Sequence, residues 1–114
     1  MPKHELALSG YKAMWLFAMF DLPVDKPVLR HEYAAFRAAL RRQGFTMLQY
    51  SVYVHYATGD EPEDTLRKNA QATLPSHGQV RAISVTDRRF EKRDVYVGRK
   101  RRPVEDPPVQ LAFL

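Results

Sequence analysis

The feature that most constrains this sequence is an apolar run from Ala13 to Phe20 that ends abruptly at Asp21 and Pro23. The run is far too short for a membrane-spanning helix, which needs about 20 residues. Its Trp and Phe residues favour strands, and apolar side chains at successive positions predict a strand buried on both faces. Proline has no amide hydrogen for a strand ladder. We therefore expect a central strand from Met14 onward, with Asp21 at the rim of the sheet.

The segment after this strand predicts a helix. Asp25 stands where an N-cap residue belongs, and Pro27 is tolerated in a first helical turn. Apolar residues then recur at spacings of four, three and four, which places them on one stripe of a helix. They are Leu29, Tyr33, Phe36 and Leu40. Gly44 supplies the left-handed residue that commonly ends a helix.

The remaining chain predicts two more strands, a second helix and a further strand. Phe45–Tyr56 is rich in aromatic and β-branched residues, which favours two strands. An acidic first turn at Glu63 opens a helix that we expect to continue to Pro75. Gln79–Thr86 and, more briefly, Asp94–Gly98 are typical of strands. The order strand, helix, strand, strand, helix, strand predicts a ferredoxin-like α+β sandwich with a short extra C-terminal strand.

The 114 residues fit one domain. We place that domain at residues 1–98, including a short N-terminal arm, and a basic and then apolar tail at residues 99–114. A domain of this size buries proportionally less surface than a larger one, so we expect a homodimer. The chain contains no cysteine, which excludes disulfides, thiolate zinc sites and a cysteine nucleophile. That composition fits a reducing cytoplasm, where we expect the protein to act.

The net charge of +5 favours a polyanionic partner, and the basic residues fall into three groups. One is a stripe on the first predicted helix, one lies between the last two strands, and one begins the tail. They are Arg30, Arg37 and Arg41; Arg88 and Arg89; and Arg99, Lys100, Arg101 and Arg102. Phosphate contact is one interpretation of these groups. A solvated helix face, with Glu32 as a partial counter-charge, is the alternative for the stripe.

Asp21 is the candidate catalytic and metal-binding residue, because a carboxylate at a sheet rim can face metal or substrate. A turn aspartate that caps nearby amides is the alternative. One carboxylate is a poor Mg²⁺ site, whereas two copies across a dimer axis would suffice.

Three tyrosines, Tyr50, Tyr53 and Tyr56, also suggest stacking on nucleobases. However, Tyr50 and Tyr56 alternate with valines, which favours packing against the helices.

Three motifs resemble, in order and spacing, the CRISPR-associated Cas2 family. They are Met19-Phe20-Asp21-Leu22-Pro23, then Gly44-Phe45 with Met47-Leu48-Gln49-Tyr50-Ser51-Val52-Tyr53, and finally Val85-Thr86-Asp87. The resemblance covers about residues 13–98. The middle motif and the ending Gln110-Leu111-Ala112-Phe113-Leu114 are similar to the form that accompanies CRISPR systems with a single Cas9-type effector nuclease.

The resemblance implies a ferredoxin-like homodimer that joins the integrase subunit Cas1 and holds a short double-stranded DNA during spacer acquisition. On this interpretation its arginines and lysines contact the DNA backbone without reading bases. Members of the family have also been described as metal-dependent endonucleases, with the strand-end aspartate of both protomers holding Mg²⁺. Asp21 is the matching position, and Phe20 stands where other members often carry tyrosine. A non-catalytic scaffold and a nuclease therefore both remain open.

Overall fold

The computed structural model describes residues 13–105, which form one antiparallel four-stranded sheet, two main helices, a short third helix and a separate hairpin. The elements in chain order are β1 (Met14–Asp21), α1 (Pro27–Arg42), β2 (Thr46–Gln49), β3 (Val52–Ala57), α2 (Glu63–Gln71), β4 (Gln79–Thr86), α3 (Asp87–Glu91), β5 (Val95–Val97) and β6 (Lys100–Arg102). The sheet order is β2-β3-β1-β4, and each neighbouring pair is antiparallel. The predicted βαββαβ fold and the central position of the first strand are confirmed.

The sheet carries apolar side chains on both faces, but only one face is covered by the two main helices. The helix-covered face holds the larger buried cluster, to which β1 contributes alternate residues. Its members are Leu16, Ala18, Phe20, Phe36, Leu40, Phe45, Tyr53, Ala57 and Leu66. The opposite face, which we call the open face, holds a smaller cluster of Trp15, Val54 and Phe90. Because α3 covers only the Trp15 end, the rest of the open face stays partly exposed.

The first helix differs from its prediction at its start and agrees with it at its end. The N-cap is Lys26 rather than Asp25, and no side chain caps the helix. Pro27 occupies the first turn, where its missing amide hydrogen costs nothing. Gly44 follows the helix with a φ of 102°, as expected of a left-handed stop. A Cβ at Gly44 would lie 2.7 Å from Nε2 of the buried His55, so the close approach also requires glycine.

The later elements depart from the sequence expectations in two places. The second helix ends at Gln71 rather than continuing to Pro75, so Leu74 lies beyond it and is 48% exposed. The segment after β4 forms the short helix α3, which the sequence did not predict. The β5 strand falls within the predicted final strand, and within the described part of the chain it pairs only with β6, across a turn at Gly98. Among the helices of residues 13–105, none is long and apolar enough to cross a membrane.

Candidate nucleic-acid interface and the Asp21 rim

Asp21 is the last residue of β1 and is exposed on the open face of the sheet. It pairs with Gln79, the first residue of β4. Successive side chains of a strand point to opposite faces. Since Phe20 packs into the helix-covered cluster, Asp21 points the other way. The sequence prediction of a carboxylate at the sheet rim is confirmed in its position, while its chemical role is not tested by this geometry.

Two backbone contacts fix this rim. The Phe20 N–H donates to the carbonyl oxygen of Ser51 at 3.0 Å, which ties the end of β1 to the turn between β2 and β3. Gly78 adopts a φ of 87°, and a Cβ there would lie 2.7 Å from the Asp21 carbonyl oxygen. The chain around Asp21 is therefore closely packed, although the carboxylate itself is exposed to solvent.

Arg81 is a cation at this rim that the sequence analysis did not single out. It pairs with Met19 in the ladder and therefore lies on the open face, one pleat from the Asp21–Gln79 pair. Its guanidinium donates to Oε1 of Gln79 at 3.1 Å. Only the β1–β4 register reveals this neighbourhood, and that register is not visible in the sequence.

The Asp21 carboxylate at the rim could supply only part of the ligands of a magnesium site. Within the part of the chain that the structure describes, no group of three or more His, Asp or Glu side chains is placed to hold a metal ion. Asp21 offers carboxylate oxygens, the ligand type that Mg²⁺ prefers, but a single protein carboxylate leaves most of the octahedron to water or phosphate. A complete protein site at this position would need a second chain.

The helix α3 carries Arg88 and Arg89 and is held firmly on the sheet. The Thr86 side chain caps it by accepting the Arg89 N–H at 3.1 Å. Phe90 stacks on Trp15 with ring centres 4.5 Å apart. The Trp15 Nε1–H donates to Asp87 Oδ1 at 2.7 Å. Both arginines are exposed, and neither guanidinium has a hydrogen bond or ion pair to another residue between 13 and 105.

The β5–β6 hairpin carries the second basic group. Arg101 pairs with Asp94, and just before the hairpin Arg93 pairs with Glu105 at 2.6 Å. The other three basic residues of the group are exposed and have no ion pair within the described range. They are Arg99, Lys100 and Arg102. The four consecutive cations are thus exposed, and one of them is neutralised by a neighbouring carboxylate.

The predicted stripe on α1 divides into engaged and free arginines. Arg30 donates to the Val24 carbonyl oxygen at 2.9 Å. Arg37 donates from Nε to the Tyr53 hydroxyl at 3.1 Å, and this hydrogen bond raises the pKa of Arg37. Arg41 is exposed and without a partner among residues 13–105. The stripe is therefore only partly available for phosphate contact.

The tyrosine prediction is wrong in its assignment of faces. Tyr53 is the tyrosine buried against the helices, whereas Tyr56 lies on the open face beside Trp15. Tyr50 stands in the turn after β2 and is 74% exposed. Val54 and Tyr56 do alternate along β3, but they lie on the open face, because the intervening Tyr53 is the residue that faces the helices. Two of the three rings are therefore structural, and Tyr50 alone is presented to solvent.

The Asp21 rim and the α3 cations lie at opposite ends of the sheet. Thr86, which leads into α3, pairs with Met14, and Gln79 pairs with Asp21. Those two pairs lie seven positions apart along the strands, which corresponds to roughly 23 Å. Within one protomer, Arg88 and Arg89 therefore do not share a site with Asp21.

The fold and these sites define a small basic α+β protein of ferredoxin-like topology, with a carboxylate at one sheet end and free cations at the other. The sequence profile described as CRISPR associated protein Cas2 matches residues 14–93. The chain belongs to the CRISPR-associated Cas2 family, as its motifs had indicated.

Similar curated proteins carry a functional name. A protein of Parvibaculum lavamentivorans is 46% identical over 98 residues, covering 86% of this chain and 97% of its own length. A protein of Paracidovorax avenae is 39% identical over 104 residues, covering 91% of this chain and 96% of its own. A Flavobacterium psychrophilum protein is 29% identical over 109 residues, covering 96% and 95% respectively. All three are named CRISPR-associated endoribonuclease Cas2.

Proposed function

We propose that this protein is a dimeric scaffold of CRISPR adaptation, which binds the backbone of duplex DNA and bridges dimers of the integrase Cas1 during spacer acquisition. The observation that supports it most is the pair of guanidinium groups on α3, which have no hydrogen bond or ion pair within the described range 13–105. Arg88 and Arg89 are exposed on a helix that Trp15 and Phe90 hold in place. Cations fixed on a packed element and lacking protein counter-charges suit phosphate contact.

Backbone contact fixes position and carries no direct sequence information. The free cations of α3 and of the β5–β6 hairpin follow one another closely in the chain, with Arg99, Lys100 and Arg102 on the hairpin. A duplex held by these residues would be bound with little preference for base sequence. This property suits a scaffold that must accept DNA of many different sequences.

The homodimer is supported by the incompletely covered open face. Ile83 pairs with Phe17 on that face and is 50% exposed. Tyr96 and Val97 of the hairpin are 60% and 58% exposed. Apolar groups left open beside a packed core are typical of an interface with another chain. A second copy on this face would bring two Asp21 carboxylates and two α3 helices into one particle.

We expect Ile83→Glu to weaken self-association by more than about tenfold, because a carboxylate would be buried without a partner at the interface. Sedimentation velocity across a concentration series measures the effect. Val28→Glu is the matched control, since Val28 is 61% exposed on α1, away from the open face. Equal association constants for the two variants would place the interface elsewhere.

The duplex-binding proposal is tested by replacing both arginines of α3. We expect Arg88→Ala/Arg89→Ala to lower the affinity for a blunt 30-base-pair DNA roughly tenfold or more at low salt, because phosphate contacts are lost. Lys26→Ala/Lys68→Ala removes the same charge from exposed sites outside the proposed interface and should bind almost as wild type. Equal losses in both double variants would show that net charge alone governs binding.

The partner proposal is tested by co-expression and co-purification with a Cas1 subunit. We expect a stable complex in which the affinity-tagged protein retains Cas1 through gel filtration. The apolar ending from Val109 to Leu114 lies outside the described residues, and we propose that it adds as a strand to Cas1 or to the other protomer. Deleting it should reduce Cas1 retention or dimer stability.

We further propose that the system is of the single-effector Cas9 type and acts in the cytoplasm.

A metal-dependent endonuclease is the second candidate, favoured by the endoribonuclease names of the similar proteins. Asp21 from each of two protomers would hold one Mg²⁺ at the dimer axis, where the ion would polarise a phosphodiester and activate a water. The chain's own contribution would be the carboxylate and its placement on the open face. Arg81, on the same face, is positioned to orient a phosphate beside it.

A further inference from the structure

The turn between β2 and β3 presents an aromatic ring to solvent without an obvious structural reason. Tyr50 is 74% exposed, more than Val28 at 61% or Tyr96 at 60%. A ring of this size gains little stability from an exposed position, since its apolar area stays in contact with water. The exposed Tyr50 ring is therefore a candidate contact for a ligand.

The ring is held in place by its surroundings. It meets the edge of Tyr33 at a centroid distance of 6.4 Å and an interplanar angle of 61°. The Tyr33 hydroxyl lies 3.4 Å from Ser51 Oγ. Ser51 itself adopts a φ of 63°, and its carbonyl oxygen accepts the Phe20 N–H. The backbone of the turn is therefore fixed, and the edge contact with Tyr33 restrains the ring, which reduces the conformational freedom lost when a ligand stacks on it.

A cation stands beside this ring pair. The Arg37 guanidinium carbon lies 5.5 Å from the centre of the Tyr33 ring, and its Nε donates to the Tyr53 hydroxyl. The phenol of Tyr50 is uncharged at neutral pH, as in any tyrosine of ordinary pKa, and the hydrogen bond with Tyr33 raises the pKa of Tyr50 further. An uncharged ring beside a fixed cation is the combination that binds a base and its phosphate in single-strand binding proteins.

We propose that Tyr50 is a stacking site for an unpaired nucleobase, with Arg37 contacting the adjoining phosphate through its Nη groups, which make no hydrogen bond to residues 13–105 while Nε is held by Tyr53. The site lies at the same end of the sheet as Asp21, because the Tyr50–Ser51 turn is bonded to Phe20. A single strand crossing the rim from the helix-covered face to the open face would pass Tyr50 and then Asp21. This inference deepens the proposed nucleic-acid function and rests on it. It assigns single-stranded segments to the Asp21 end and duplex backbone to the α3 end.

The test uses single-stranded 12-nucleotide RNA and DNA, each with one 2-aminopurine whose fluorescence is quenched by stacking. We expect wild type to bind and quench at least one of them, and Tyr50→Ala to lose the quench and about tenfold in affinity. Tyr50→Phe should retain both, because the ring face is kept. Val28→Ala is the control, since it removes an exposed apolar side chain that belongs neither to the proposed stacking site nor to the proposed dimer interface. Comparison of the RNA and DNA arms identifies the strand type.

Tyr50→Ala binding and quenching both single strands as wild type does would overturn the stacking proposal. Absence of single-strand binding by wild type at low salt would overturn it as well. Neither result touches the duplex proposal, which is read separately from Arg88→Ala/Arg89→Ala on blunt DNA. If Tyr50→Ala weakened retention of Cas1 and left both single strands bound and quenched, Tyr50 would be a protein contact instead.

Discussion

Replacement of Trp15 by alanine is expected to lower the free energy of unfolding by about 3–5 kcal/mol, the range for deleting a buried aromatic side chain. Trp15 is 1% exposed, stacks on Phe90 and meets Tyr56 edge-on at 5.1 Å. Its indole N–H also donates to Asp87. Small domains have total stabilities of only about 5–15 kcal/mol, so the variant should be close to unfolding. Urea denaturation followed by circular dichroism measures the change.

Trp15→Phe is the informative companion variant. It keeps much of the buried ring but leaves the Asp87 carboxylate without its indole donor, so we expect a smaller loss of about 1–3 kcal/mol. Because Trp15 holds α3 on the sheet, both variants should also weaken duplex binding although no charge has changed. A loss below about 1 kcal/mol for Trp15→Ala would show that α3 is not anchored as the structure describes.

Replacement of Asp21 by asparagine is expected to reduce any metal-dependent cleavage of RNA or DNA by at least about a hundredfold, since the metal-binding charge is removed. The side chain is exposed, so the fold and the duplex affinity should be retained. Cleavage is followed on labelled strands with Mg²⁺ and with excess chelator. Asp25→Asn is the matched control, because Asp25 is an exposed carboxylate in the loop that follows β1.

The Asp21→Asn experiment distinguishes the scaffold function from the nuclease function. Cleavage that survives Asp21→Asn would point to a contaminating nuclease and remove the second candidate. Loss of cleavage together with intact spacer acquisition would show that the scaffold role does not need the carboxylate. Loss of spacer acquisition in this variant would count against a purely structural role.

The sequence was sufficient to predict the strands and helices in which a pattern of apolar residues extends over most of the element. The apolar run through Phe20 defined β1, and the stripe ending at Leu40 defined α1, because a strand or helix of that length repeats its pattern several times. The end of α1 at Gly44 was predictable because glycine readily adopts the left-handed conformation that commonly ends a helix. The two helices and four strands of the main sheet follow from such local patterns.

The parts that escaped prediction depend on short segments or on register. The helix α3 has five residues with a single buried apolar side chain, Phe90, so no helical period is visible. The exposure of Tyr50 follows from a register shift in β2 and a left-handed residue at Ser51, which break the alternation. The neighbourhood of Asp21 and Arg81 arises from the β1–β4 ladder, and long-range pairing leaves no mark in a single sequence.

The salt dependence of duplex affinity tests the central claim most directly. If both protomers contact phosphates through Arg88 and Arg89, the logarithm of the association constant should fall linearly with the logarithm of salt concentration, with a slope of about −4 or steeper. The slope should be the same for duplexes of unrelated sequence and should become shallower by about 2 for each contacting protomer in Arg88→Ala/Arg89→Ala. A slope near zero, or one unchanged by the double substitution, would contradict the account.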